Sequence, residues 1–272
     1  NDKKKGSEFL EFLRRRLILA REILADDGSI YVHMDEKMGH YVKVILDEVF
    51  GKNSFQREII WRIGWVSGYK SKAKNWIRNH DVIYFYTKNR ENFIFNKEYI
   101  KYPPDYRRRD GKKPTGEGMP IEDTWNCNEL DVLDSIQIMS FSKEKVGYPT
   151  QKNENLLSRI IRASTNEGDL VMDFFGGSGT TMAVAEKLNR KWIVCDIGKL
   201  SYFTMQKRLL QIGNSKSLEN PEMKYGKKPR AFMTATLGVY DLEKTLTLEW
   251  EKYVEFVSGL FVVTMYVSGG MI

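Results

Sequence analysis

The sequence predicts an α/β fold, a doubly wound and mostly parallel sheet that ends in a hairpin and carries an inserted region. Three observations lead there. Residues 169–181, Asp-Leu-Val-Met-Asp-Phe-Phe-Gly-Gly-Ser-Gly-Thr-Thr, read as a short apolar strand, a glycine turn and a helix opening at Thr180 or Thr181. Residues 191–196, Lys-Trp-Ile-Val-Cys-Asp, read as the next strand and end in a carboxylate. Residues 29–33, Ser-Ile-Tyr-Val-His, form a third strand with little alternation, as expected of a sheet covered on both faces.

A strand, a glycine turn and a helix N-terminus let backbone N–H groups approach a ligand closely. In parallel α/β sheets that place lies at the carboxyl ends of the strands, where ligands bind. An acidic residue roughly 20 positions past the turn, here Asp196, can hydrogen-bond ribose hydroxyls. The glycine spacing is not G-x-G-x-x-G, which disfavours a nicotinamide dinucleotide, and no Gly-Lys-Ser/Thr follows, which nearly excludes a P-loop. The competing interpretation is a turn that needs glycine for packing alone.

The remaining elements follow in order. Residues 1–7 are polar. Apolar residues at Phe9, Phe12, Leu13, Leu17, Ala20 and Leu24 mark one face of a helix, which Asp26-Asp27-Gly28 stops. After the strand at 29–33, Asp35-Glu36 opens a second helix that reaches Phe50, and Gly51 caps it. Residues 58–63 and 81–86 read as a hairpin with a long connection, in which Trp65, Tyr69 and Trp76 alternate with Lys70, Lys72, Lys74 and Arg78. Cations that neutralise phosphates and rings that stack on bases suit a nucleic-acid surface, and the alternative is a solvated loop with its tryptophans tucked into the core. Residues 89–146 lose periodicity. Within them lies a Pro- and Gly-marked basic loop with Arg107, Arg108, Arg109, Lys112 and Lys113. A helix is expected over 200–212, a polar linker over 213–230 and a further helix over 242–260.

The motifs carry a resemblance. Asp-Phe-Phe-Gly-Gly-Ser-Gly-Thr-Thr at 173–181 is similar to the cofactor motif of amino-group DNA methyltransferases that use S-adenosylmethionine. Gly147-Tyr-Pro-Thr-Gln-Lys152 just upstream resembles the Pro-Thr-Gln-Lys-Pro motif of their beta-class, circularly permuted branch, with Asn153 where that branch has Pro. The overall likeness, from about residue 8 to about residue 212, is to modification subunits of type III restriction-modification systems and their solitary relatives. It implies a Rossmann-like methyltransferase core over 1–88 and 147–212, a target-recognition insertion over 89–146, and a linker with a helical extension over 213–272. Residues 121–125, Ile-Glu-Asp-Thr-Trp, resemble the acidic-aromatic stretch where the chain returns to that core.

The resemblance implies methyl transfer to an exocyclic amino group of a flipped base in double-stranded DNA, adenine ahead of cytosine. Gly176, Gly177, Ser178, Gly179 and Thr180 would shape the turn under the methionine end. Asp173 would meet the methionine ammonium, Asp196 the ribose, and Thr150 and Lys152 the carboxylate. Phe174, Phe175 and Gln151 complete the cofactor-binding set. The implied partners are DNA, a second copy of the chain and a restriction subunit. Such enzymes also need a four-residue Asp/Asn/Ser-Pro-Pro-Tyr/Phe motif, which this sequence lacks, so no catalytic residue is assigned. Pro103-Pro104-Asp105-Tyr106 has similar composition in another order. The motif belongs before the helix at residue 8, and a chain opening on Asn1 reads as a truncated or processed product. Two other classes remain: a cofactor- and DNA-binding relative without activity, and a nucleotide-cofactor oxidoreductase.

Composition agrees with an anionic partner. The 272 residues carry a net charge of +7, with 29% charged and 42% apolar residues. The two cysteines, Cys127 and Cys195, cannot build a disulfide framework; both are expected reduced, as in the cytoplasm, with Cys195 in a buried strand. His33, His40 and His80 lack metal-ligand spacing. The longest apolar run, 256–267, is too short to span a bilayer and holds Ser258 and Gly259.

Overall fold

The computed structural model describes residues 6–64, 74–127 and 142–235, with residues 72, 131, 138, 249, 251 and 252. Lys70, Trp65, Tyr69 and nearly all of the helix expected over 242–260 lie outside the described residues.

Helix α1 (Ser7–Ile23) buries Leu13, Leu17 and Ala20, the three-and-four spacing of one helical face. Strand β1 (Ser29–Met34) follows. Helix α2 (Gly39–Phe50) begins later than the expected Asp35, because the Asp35 carboxylate first caps a turn, accepting the Lys37 and Met38 N–H groups at 3.2 Å each. It ends at Gly51, whose φ of 89° suits glycine. Strands β2 (Phe55–Arg62) and β3 (His80–Thr87) form the expected hairpin. Short strands β4 (Tyr99–Ile100) and β5 (Met119–Pro120) pair antiparallel, so the basic loop is the tip of a second hairpin. Strand β6 (Thr124–Trp125) returns the chain to the main sheet, where Trp125 is buried.

The main sheet has the order β1-β3-β2-β6. Alternation along β3 splits its side chains: Tyr84 and Tyr86 pack with Leu13, Leu17, Val42 and Leu46 of α1 and α2, while Ile83 and Phe85 face Ile59, Trp61 and Trp125. The second face is closed by helix α3 (Glu154–Ser164) through Leu156. Antiparallel pairing takes a larger share of the described strands than the spacing predicts. β3 lies between β1 and β2 and runs antiparallel to both, and parallel pairing is confined to β2–β6 and to the pair below.

Strands β7 (Leu170–Asp173) and β8 (Lys191–Val194) run parallel, joined by helix α4 (Thr180–Lys187), and helix α5 (Lys199–Leu210) follows. α4 is buried against α3 through Val184 and Ala185, and against Leu209 and Ile212 through Met182 and Ala183. Val171 and Trp192 face this core, whereas Leu170, Met172 and Ile193 on the opposite side are exposed. Cys195 continues the Ile193 side and is exposed, which corrects the expectation of a buried thiol; Cys127 is exposed as well. α3 is tied to the main sheet through the Tyr31 and Ser164 hydroxyls, 2.7 Å apart, and to the loop after β3 through the Asn96 N–H, which donates to the Ala163 carbonyl at 2.6 Å.

Candidate cofactor site and basic surface

The glycine turn is fixed by backbone geometry and two carboxylates. Gly177 (φ 50°) and Gly179 (φ 72°) adopt left-handed conformations. A Cβ on Gly176 would collide with the Val194 side chain, and one on Gly179 would lie 2.8 Å from Met205 Cγ. At the end of β7, Asp173 accepts the Phe175 N–H at 2.9 Å and the Thr181 hydroxyl at 2.6 Å. Just past β8, Asp196 accepts the Gly177 N–H at 2.8 Å and the Gly198 N–H at 2.7 Å, and remains exposed. Thus the carboxyl ends of two parallel strands bring Asp173 and Asp196 to one turn. Phe174 is half-buried, Phe175 is exposed, and Ser178 and Thr180 are buried with their hydroxyls 3.0 Å apart.

The upstream motif folds against this turn. The Tyr148 ring stands beside Gly177, 3.4 Å from where a Cβ would project. Thr150 is exposed. Gln151 is buried and spends its amide on the chain, accepting the Val146 N–H at 2.8 Å and donating to the Glu144 carbonyl at 2.7 Å. The Lys152 carbonyl accepts the Thr180 hydroxyl at 3.1 Å. Burial holds the Lys152 ammonium below the usual lysine range, and it makes no hydrogen bond or ion pair among the described residues. A mostly buried cation without a counter-charge invites an anion. Asn153, the departure from the motif, is the N-cap of α3 and accepts the Asn155 N–H at 2.8 Å.

Beneath the turn lies a buried charge junction that sequence reasoning missed. Arg208 of α5 donates to the Ser178 carbonyl (3.2 Å), to the Thr180 hydroxyl (3.0 Å) and to Glu154 (2.8 Å). Lys187 pairs with Glu154, and the Glu154 N–H donates to Glu144 at 2.9 Å. Burial, reinforced by the neighbouring Glu154 charge, pushes Glu144 up to about 7. One signal could have found Arg208: helical spacing sets it on the same side as Met205, Leu209 and Ile212, where a cation needs partners. A second charge junction lies at one end of the main sheet. His33 lies 3.0 Å from Asp81, Arg78 pairs with both Asp81 and Glu36, and burial together with the Lys152 charge pushes His33 down to about 3.

Arg107, Arg108, Arg109, Lys112 and Lys113 are all exposed at the β4–β5 tip. Their loop is ordered by the Arg108 N–H donating to the Lys112 carbonyl (2.9 Å) and by stacked Tyr102 and Tyr106 rings 4.9 Å apart. Tyr106 thus spends its ring inside this loop. Lys72 and Lys74 are exposed between β2 and β3. A cavity of about 520 Å³ lies across α3 from the glycine turn, lined by Tyr31, Phe85, Phe95, Trp125, Arg159 and Ile160 among others, and includes none of the turn's residues.

Residues 1–206 match the family model described as DNA methylase. The type II methyltransferase M.EcaI of Enterobacter cloacae is 32% identical over 74% of this chain and 57% of its own length. M.HpaI of Haemophilus parainfluenzae is 33% identical over 75% of this chain and 60% of its own length, so the chain spans less than two thirds of either relative. The DNA adenine methyltransferase YhdJ of Escherichia coli is 28% identical over 78% of the chain and 70% of its own length. Among solved structures, the M1.HpyAVI–SAM complex superimposes with a TM-score of 0.51 at 22% identity, covering 76% of this chain and 85% of that one, which establishes the shared fold.

Proposed function

The chain belongs to the DNA methylase family, and from that membership we propose that it moves a methyl group from S-adenosylmethionine to the amino group of a flipped DNA base, adenine rather than cytosine. The observation that carries this reading is the convergence of Asp173 and Asp196 on one glycine turn, with the Lys152 carbonyl bonded to Thr180 of the same turn. These residues fit a ligand with ribose hydroxyls, an ammonium and a carboxylate. Asp196, exposed beside the turn, takes the ribose; Asp173 takes the ammonium; Lys152 and Thr150 take the carboxylate; Gln151 braces that segment. Gly176, Gly177 and Gly179 let the backbone close in, between Phe174, Phe175 and the Ser178–Thr180 hydroxyl pair. Bound there, S-adenosylmethionine supplies an electrophilic methyl group on a sulfonium. The transfer is direct and needs no cysteine nucleophile.

The name of the E. coli relative supports adenine. The acceptor amino group needs a Pro-Pro-type motif that these residues do not contain. Double-stranded DNA is the partner in this reading, with a second copy and a restriction subunit as protein partners and the cytoplasm as the compartment. The missing motif favours one second reading, a relative that binds cofactor and DNA without transferring methyl groups.

Incubation with tritiated S-adenosylmethionine and unmethylated DNA, followed by nucleoside analysis, tests the proposal. Label in N6-methyladenine supports it. Label in N4-methylcytosine overturns the base assignment, and cofactor binding without label favours the inactive relative.

A further inference from the structure

The segment between β2 and β3, residues 64–79, holds four cations, Lys70, Lys72, Lys74 and Arg78, and no Asp or Glu. Within it Trp76 is 97% exposed, an indole almost wholly in water. A ring of this size left uncovered forgoes the burial that aromatic side chains normally provide. Its root is held firmly. The Ile63 N–H donates to the Asn79 carbonyl at 3.1 Å, the Asn79 amide donates to the Gly64 carbonyl at 2.8 Å, and Arg78 is clamped by Glu36 and Asp81. Asp81 also bonds His33 near the end of β1, and the Lys152 charge reaches His33 while its carbonyl bonds Thr180 of the glycine turn. Trp76 therefore rises from the end of the main sheet where β2 ends and β3 begins.

Charge selects the occupant. A segment with exposed Lys72 and Lys74 and no carboxylate suits phosphates on either side of the ring, and the ring face suits a base. We propose that Trp76 stacks into the DNA duplex where a base has been displaced, with Lys72 and Lys74 on the flanking phosphates. The inference rests on the methyltransferase reading and deepens it. An enzyme acting on a base must draw it out of the stack, and an apolar wedge fills the gap left behind. Of the two interpretations open for this loop, tryptophans in the core or rings toward nucleic acid, the exposure of Trp76 favours the second.

The test is fluorescence anisotropy with a labelled short duplex, intact or carrying one abasic site as the displaced-base mimic. Trp76→Ala should lose about tenfold in affinity for the abasic duplex and much less for the intact one. Trp76→Phe should restore most of the loss, because a ring returns. The double variant Lys72→Gln/Lys74→Gln should weaken both duplexes and flatten the salt dependence. Wild-type affinity of Trp76→Ala for the abasic duplex, or an equal loss on both duplexes, overturns the proposal, as does a wild-type protein that binds neither. Titration with S-adenosylmethionine separates the two readings: wild-type protein that ignores the cofactor sinks the methyltransferase reading, whereas the abasic preference of Trp76 is scored by the duplexes alone.

Discussion

Glu144 shows how one residue's surroundings set its chemistry. It lies against Glu154, Arg208 and Lys187, and burial lifts its carboxyl from the ordinary 4.5 to about 7. Between those values the folded chain holds a proton that the unfolded chain has released. Stability therefore falls as pH rises through that window and levels off above it, by a few kcal/mol in order of magnitude. Glu144→Gln should remove the slope and melt higher than wild type at pH 8, as thermal melts across the window would show. Parallel melting curves for the two proteins would refute this account. None of this was legible in the sequence, where Glu144 stands in a stretch without periodicity and its partners come from three helices. Asp173 and Asp196 were legible because strand ends beside a glycine turn are marked locally. Gln151 was legible as part of a motif, but its use in bracing the chain at Glu144 and Val146 depends on the fold.

At the scale of the element, β7, its turn and α4 form the unit read most clearly from sequence. Apolar residues, then glycines, then a helical pattern are local signals, and the observed strand and helix begin where those signals place them. The conformations behind the glycines give a prediction. Gly179→Ala forces a side chain into a φ of 72° and toward Met205, and should destabilise by about 1–3 kcal/mol in denaturant titrations. A neutral result would mean that the turn relaxes freely. The support of this element was less legible. Arg208 holds the turn from 28 and 30 residues away and reaches Glu154 across 54, and such pairings carry no local signature. The start of α2 shows the same limit in miniature, since the Asp35 carboxylate closed a turn of its own before the helix began.

The whole molecule shows which properties belong to assembly. The α/β class, the β2–β3 hairpin and the return at Trp125 were readable from periodicity and from a motif. The antiparallel share of the main sheet and the exposure of Cys195 were not, because ladder direction and burial depend on what lies alongside each strand. Charge is also a property of this scale. With a net charge of +7 and five exposed cations at the β4–β5 tip, DNA affinity should drop steeply with salt. Replacing Arg107, Arg108 and Arg109 together by Gln should lower the slope of log affinity against log salt by up to about 3 units. An unchanged slope would remove that hairpin from the DNA surface. The central claim, a nucleoside-cofactor site built by Asp196 and the glycine turn, is tested most directly by calorimetric titration with S-adenosylmethionine. The account predicts saturable binding to the wild-type chain, at least about tenfold weaker for Asp196→Ala because a hydrogen-bonded carboxylate is lost. Equal affinity of the two proteins, or no binding to the wild type, would contradict it.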